Sequence, residues 1–363
     1  MSVRFLEQDV EYVTFMGELL ERFRFKGTRV WTRPRSGSLL YLTLTSNLVV
    51  KLYFTQSAAN GIEIDWGDGS EAETVTETSA NITHTYEEAG DYIISLSSID
   101  GATWAPGGGL YNILGKEGGG KGYTSPELTE AVLDDAVTSL NSYAFEGCTS
   151  LSSITLPETL VTVNSNAFYG CTSLRGISLP DGVTTLASSS FYGCTALEEL
   201  TVPSGVTVVN SSLCYGCSAL KRVALPEGIT AIQTNAFYNC AALEEISIPA
   251  TVTSIGTYAF FGCAALPVNL ELSVTTLGYS AFAKCTQLEK VWLRAAITTI
   301  NAYEAKKDGA VTARYGPFLN CDASLVLYCE PASRPEGWNQ YFNVYTGLDT
   351  RLSTQYGVTE RPW

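Results

Sequence analysis

His84 is the one imidazole in 363 residues. Two carboxylates, Asp65 and Asp68, precede it, a grouping that could act as a general acid–base set. The competing reading is structural. Asp68-Gly69 is a hairpin-turn signal, and aspartates in such turns bond their own backbone. No serine or cysteine nucleophile accompanies His84 in a recognisable motif, so the turn reading is preferred and no catalytic residue is assigned. A single histidine excludes paired-histidine metal motifs, the cysteine columns are read as holding no C-x-x-C zinc pair, and no metal or other cofactor is expected. Gly107–Gly109 and Gly118–Gly120 lack the Lys-Ser/Thr of a phosphate loop. Ten cysteines remain, and their spacing decides their chemistry.

That spacing is regular. Cys148, Cys171, Cys194, Cys217, Cys240 and Cys263 are 23 residues apart; Cys285 follows after 22 and Cys321 after a longer gap. A period of this length means a solenoid. The other columns agree. Phe145, Phe168, Phe191, Phe237, Phe260, Phe282 and Phe318 each stand three residues before a Cys, with Cys214 in the one missing place. Leu151, Leu174, Leu197, Leu220, Leu243, Leu266 and Leu288 stand three after. Pro157, Pro180, Pro203, Pro226 and Pro249 close the extended segment L-x-x-I-x-L, where no ladder donor is needed. Gly147, Gly170, Gly193, Gly216 and Gly262 precede Cys and suit a turn with positive φ. No coil can bury its Leu, Ile and Phe alone, so stacking must build the core. Equivalent cysteines on stacked coils point the same way rather than toward each other. Free, buried thiols are therefore expected in place of disulfides.

These repeats resemble the BspA-like leucine-rich repeats of bacterial surface proteins. The pattern covers 128–330, and Leu128, Ala131 and Leu133 fit a first copy. Eight to nine coils at about 4.8 Å each would span about 40 Å. Upstream, Trp66-Gly-Asp-Gly69, His84-Thr-Tyr86 and Gly90-Asp-Tyr92 sit among alternating strands. They resemble the PKD domain, which implies an immunoglobulin-like spacer or interaction module with His84 and Tyr86 in structural positions. The expected fold class is mainly β: a small PKD-like β-sandwich, then a leucine-rich-repeat solenoid of 23-residue coils. The expected divisions are a basic N-terminal module (1–37), the sandwich (38–100), a Gly-rich connector (101–127), the repeats (128–330), and a C-terminal cap and tail (331–363).

Function is sought in the outward columns. Two residues before Cys come Tyr169, Tyr192, Tyr215, Tyr238 and Phe261, an aromatic ladder that is the candidate ligand-binding surface. Its alternative role is to stack and stabilise the solenoid. Charges four and five residues after Cys change sign along the stack: Arg175, Glu198–Glu199, Lys221–Arg222, Glu244–Glu245, Glu289–Lys290. Such neighbours fix register. Residues 301–317 interrupt the array, and insertions of this kind emerge on one face, often the binding face. Arg22, Arg24, Lys26, Arg29, Arg33 and Arg35 form an acid-free stretch, and the alternation around Gly27 predicts a hairpin suited to assembly or anchoring. Residues 346–363 show no assignable pattern.

Composition sets the class of partner. A hydrophobic fraction of 45% supports packed cores. Twenty-two basic against 37 acidic residues give a net charge of −15, which argues against nucleic acid as a partner. No segment approaches the roughly 18 apolar residues of a membrane span. Glu7, Asp9, Glu11 and Glu18 interrupt any apolar signal region, so a signal was removed or export takes another route. The resemblance implies a non-enzymatic, extracellular or cell-surface adhesion protein that recognises a protein or glycan. Two alternatives are a structural or receptor-binding component of a phage particle and an accessory binding module of a glycan-degrading system.

Overall fold

The structure, a computed structural model, describes residues 14–15, 18–19, 22–25, 28–32, 37–44, 49–57, 61–99, 103–107, 113, 127–266, 269–294, 298–301, 303–307, 310–321, 325–329, 336, 352–356 and 358. For 14–15, 18–19, 22–25, 28–32, 127, 303–307 and 310–315 it describes the backbone alone. Among the described residues there is no helix.

The chain opens with two antiparallel hairpins, β1 (Thr14–Phe15) with β2 (Glu18–Leu19), and β3 (Arg22–Phe25) with β4 (Thr28–Thr32). The second is the hairpin expected around Gly27, which itself lies outside the described residues. Then come β5 (Ser38–Leu44), β6 (Val49–Gln56), β7 (Ile62–Asp65), β8 (Glu73–Val75), β9 (Ser79–Thr85), β10 (Gly90–Ser98) and β11 (Trp104–Pro106). Strands β5, β6 and β7 alternate buried and outward residues because strand side chains alternate faces. Leu40, Leu42 and Leu44 of β5 and Val50, Leu52 and Phe54 of β6 are all buried in one core with Trp66, Ile94 and Leu96.

Neither sheet stops at the first repeat. Strand β12 (Glu127–Val132) pairs antiparallel with β5 and parallel with β14 (Ser153–Thr155) of the next coil. One sheet thus runs β14-β12-β5-β10-β7-β8, and the other runs β11-β6-β9. Trp104 of β11 bridges in parallel to Val137, beside β13 (Ser139–Leu140) of the coil stack. Polar groups close the seam. The Ser38 hydroxyl donates to Asp134 Oδ1 at 3.0 Å and accepts from the Asp134 N–H at 2.9 Å. Asn141 Nδ2 donates to Thr55 Oγ1 at 2.8 Å and to Gly107 O at 2.9 Å. In later coils the same position, Asn164 and Asn210, donates to Leu140 O and Leu186 O of the coil before. The N-terminal sheets therefore occupy the place of a preceding coil.

The solenoid stacks coils in parallel register. One column of two-residue strands runs from Ser139–Leu140 through Thr162–Val163 and Thr185–Leu186, and again from Val208–Val209 to Thr299–Ile300. The other column holds the strands of the L-x-x-I-x-L segment. It ends with Val326–Cys329 pairing in parallel with Ser353–Tyr356, so part of the unassigned tail is one more rung. The interruption after Ile300 forms an antiparallel hairpin, Tyr303–Lys307 with Ala310–Tyr315.

Each coil turns through two residues with left-handed backbone. Before Cys the position has φ 66–74° at Gly147, Gly170, Gly193, Gly216 and Gly262, with Asn239, Lys284 and Asn320 in the same conformation. Four residues earlier stand Tyr143, Asn166, Ser189, Ser212, Asn235, Tyr258 and Ser280, also at positive φ. A non-Gly side chain is rare there, and the cross-coil bonds on either side hold it.

The Phe column stacks inside the core, with ring centroids 5.4 Å apart for Phe145–Phe168 and Phe168–Phe191 and 5.0–5.8 Å from Phe237 to Phe318. Cys214 breaks it. The residue before Phe is Ala144, Ala167, Ala236, Ala259 or Ala281 in five coils and Ser190 or Pro317 in two, but Leu213 stands before Cys214, and Leu213 and Cys214 are both buried. The larger Leu fills volume that the missing ring vacates, which is what close-packed interiors require. Leu213→Ala alone should destabilise by about 2–5 kcal/mol and Cys214→Phe alone by about 1–3 kcal/mol. The double variant should cost less than the sum. Thermal or denaturant unfolding of all four proteins checks this, and additivity would reject the volume exchange.

Candidate functional site

The Tyr169–Phe261 column is assembled by backbone bonds on both sides. Its N–H groups donate to the left-handed turn residues of their own coil, as Tyr192 N to Ser189 O at 3.1 Å. Its carbonyls accept from the preceding coil, as Tyr192 O from Gly170 N and Tyr215 O from Gly193 N, each at 2.7 Å. Held this way the rings stack face to face, with centroids 4.5–4.6 Å apart and interplanar angles of 2–8° from Tyr169 to Phe261. All five candidate residues stand in one row.

The stack consumes the ring faces between neighbours and leaves rims outward. Tyr169, at the end of the row, is 36% exposed; the other four are half-buried. Partial burial and the adjoining tyrosines push the Tyr192 hydroxyl above its ordinary pKa, and burial and Tyr215 do the same at Tyr238. Both remain neutral donors at physiological pH. The far end is capped: Lys284 Nζ lies 4.9 Å from the Phe261 ring centroid, a cation–π contact. There the row also widens, because Tyr258 packs edge-on against Tyr238, Phe261 and Tyr279.

The charge columns act within the protein. Lys221 Nζ donates to Glu198 Oε2 at 2.8 Å, Arg222 pairs with Glu199, and Arg294 Nη1 donates to Glu271 Oε1 at 3.3 Å. Lys221 hydrogen-bonds and attracts the Glu198 carboxylate, holding it below its usual range. Each pair links neighbouring coils, which opposes slippage by one coil.

The cysteines are all free and buried. Their thiols are not idle spacers. Cys171 Sγ donates to Phe145 O at 3.1 Å, Cys194 to Phe168 O at 3.1 Å, Cys217 to Phe191 O at 3.0 Å and Cys263 to Phe237 O at 3.0 Å. Each ties a coil to the turn carbonyl of the one before. Reading by columns passes over one spacing: Cys214 and Cys217 form a C-x-x-C pair. Cys217 N donates to Cys214 O at 3.2 Å, and burial pushes the Cys214 thiol well up. Among the described residues no group of three or more His, Cys, Asp or Glu could hold a metal ion.

Asp68 and His84 meet, but as part of a packed turn. His84 Nε2 lies 2.6 Å from Asp68 Oδ2, and its ring stacks on Trp66 with centroids 4.6 Å apart. Tyr86 covers the imidazole edge and donates its hydroxyl to Trp66 O at 2.9 Å. Partial burial disfavours charge on Asp68, but hydrogen bonds from Ser70 and His84 outweigh it and hold the carboxyl below its ordinary value. Ser70 N–H donates to Asp68 Oδ1 and Gly67 N–H to Asp65 Oδ1, both at 2.9 Å, so both aspartates bond their own turn. These contacts account for the turn without invoking catalysis.

A family profile described as the BspA type leucine rich repeat region, in six copies, matches residues 121–244 and 208–307, together more than half of the chain. The chain belongs to the BspA-type leucine-rich repeat family. Members of this repeat class are characteristically binding proteins. Solved structures similar to this BspA-type chain include three leucine-rich repeat proteins. One is from T. pallidum, at 30% identity over 38% of this chain and 65% of that chain, TM-score 0.37. Another is a leucine rich cell surface protein from Faecalibacterium prausnitzii, at 26% identity over 58% and 62%, TM-score 0.40. A third is from Bacteroides ovatus, at 21% identity over 75% and 67%, TM-score 0.43. The chain spans less than two thirds of the length of the first two. A comparison with curated proteins found no match. No helix among the described residues is long and apolar enough to cross a membrane.

Burial pushes the thiols of Cys171, Cys194, Cys240 and Cys285 far above their ordinary value and Cys329 up to about 12. The thiolate is the reactive form. The folded protein should therefore show fewer than about one reactive thiol toward a chromogenic disulfide reagent at neutral pH, and all ten after denaturation. Rapid reaction of several thiols in the folded state would contradict this packing.

Proposed function

We propose that this protein is a non-enzymatic adhesion protein, displayed on or released from a bacterial surface, that grips a protein partner along the Tyr169–Phe261 row. The observation that carries the reading is the geometry of the stack. Five rings at 4.5–4.6 Å spacing present a stiff ridge of hydroxyls and ring edges. Tyrosine binds well in this role because it offers large amphipathic area at low entropic cost. A sugar ring is usually held against an open aromatic face, and here neighbouring rings cover those faces from Tyr192 to Tyr238. Protein is therefore favoured over glycan.

Other features support the reading. BspA-type repeats motivate the surface location, and one similar protein is itself described as a cell surface protein. The N-terminal sheets serve as a PKD-like spacer, with Trp66, His84 and Tyr86 packed as its structural turn. Neither the fold nor the family match favours a phage particle.

Arrayed extracellular proteins and arrayed glycans, probed with the intact protein and with the Tyr192→Ala, Tyr215→Ala, Tyr238→Ala triple variant, test this. Binding to protein spots should fall at least about tenfold in the triple variant. Tyr215→Phe, which keeps the stack, separates hydroxyl contacts from ring packing. Undiminished binding by a folded triple variant, or signal on glycans alone, would overturn the proposal.

A further inference from the structure

The two-stranded hairpin Tyr303–Lys307 and Ala310–Tyr315 is rooted beside the aromatic cluster. Ser280 N–H donates at 3.1 Å to the carbonyl of Gly316, the residue that follows the return strand. One coil earlier the equivalent bond runs from Tyr258 N to Tyr279 O at 3.2 Å. The first coil has Tyr143 and Ser165 at the corresponding positions, and the four coils after it carry only small residues, Asn166 and Ser188, Ser189 and Ser211, Ser212 and Thr234, Asn235 and Thr257. Large aromatic residues replace them in the two coils that lead to the hairpin, and Tyr258 joins this cluster to the row at Tyr238 and Phe261.

Charge changes at the same place. Residues 128–283 carry Arg175, Lys221 and Arg222 against a large excess of Asp and Glu. Residues 284–315 reverse this: Lys284, Lys290, Arg294, Lys306, Lys307 and Arg314 outnumber Glu289, Glu304 and Asp308. On a protein of net charge −15 this is a stretch of sequence with a net positive charge. Lys284, which is exposed, leans over Phe261 at its border.

The hairpin also offers backbone. Among the described strands its two strands pair only with each other. An unpaired strand edge is a template for an extended peptide.

We propose that the hairpin, Tyr258, Tyr279 and Lys284 form a docking surface for an extended acidic peptide segment of a protein partner. The segment adds along the hairpin edge, its negative charge is matched by Lys284 and by the excess of Lys and Arg in the hairpin sequence, and its apolar side chains meet the aromatic cluster. This rests on the protein-binding reading above and adds the charge of the partner and a second point of contact.

A labelled Glu/Tyr peptide of about ten residues, its Lys/Tyr counterpart and a uronate oligosaccharide, titrated by fluorescence anisotropy, test it. The intact protein should bind the acidic peptide, more weakly as salt rises, and should not bind the basic one through this surface. Lys284→Glu, Lys306→Glu, Lys307→Glu together should weaken binding at least about tenfold. Arg175→Glu, which reverses a charge on a distant coil, should leave affinity unchanged. No acidic-peptide binding, equal affinity in the triple reversal, or binding of the uronate alone would overturn the proposal. The probe is synthetic and the reversed charges lie outside Tyr169–Tyr238, so the row's role can fail while this one stands, and the reverse.

Discussion

Register between coils is the constraint on which everything else depends. A side chain can stack on its own kind only if every coil has the same length and starts at the same height. The 23-residue step supplies that condition. Backbone bonds of 2.7–3.2 Å from each turn to the next then fix it. The Phe stack inside, the tyrosine row outside, the thiol-to-carbonyl bonds and the Lys221–Glu198 pair are four consequences of one spacing. Each in turn penalises a slip, because a slipped coil would lose all of them together.

Much of this was legible in the sequence because it repeats. The Cys, Phe, Leu and Pro columns announced the solenoid, and the Gly column announced left-handed turns, which Asn239, Lys284 and Asn320 also adopt. The second left-handed position was not legible. Tyr143, Asn166, Ser189 and Tyr258 have nothing in common as residue types; what they share is a backbone held by neighbouring coils. The junction was hidden for a different reason. Pairing of β12 with β5 joins residues about ninety positions apart, and no local pattern marks such a contact. The aromatic row could be named from sequence, with stacking as its alternative role, but not how closely its faces would be spent on one another. That depends on ring orientation, which only the packed turn determines.

The row and the charged hairpin show how a repeat protein acquires character. The inward columns hardly vary, since each change must be answered nearby, as Leu213 answers Cys214. Outward positions are less tightly packed and can change one coil at a time. Tyr258 and Tyr279 are changes of this kind, and the hairpin beside them is a larger one. Specific recognition needs this asymmetry: a scaffold that cannot move and a surface that can be rewritten.

The shared sheet at the N-terminal end has a mechanical consequence. Tension along the solenoid axis acts across the strands, so coils can be peeled away singly. Each released coil of 23 residues pays out on the order of 75 Å of chain. At the junction, β12 is bonded on both edges, to β5 and to β14, so the first coil has a partner on each side as an inner coil does. A chain built this way lengthens coil by coil under axial load instead of giving way all at once.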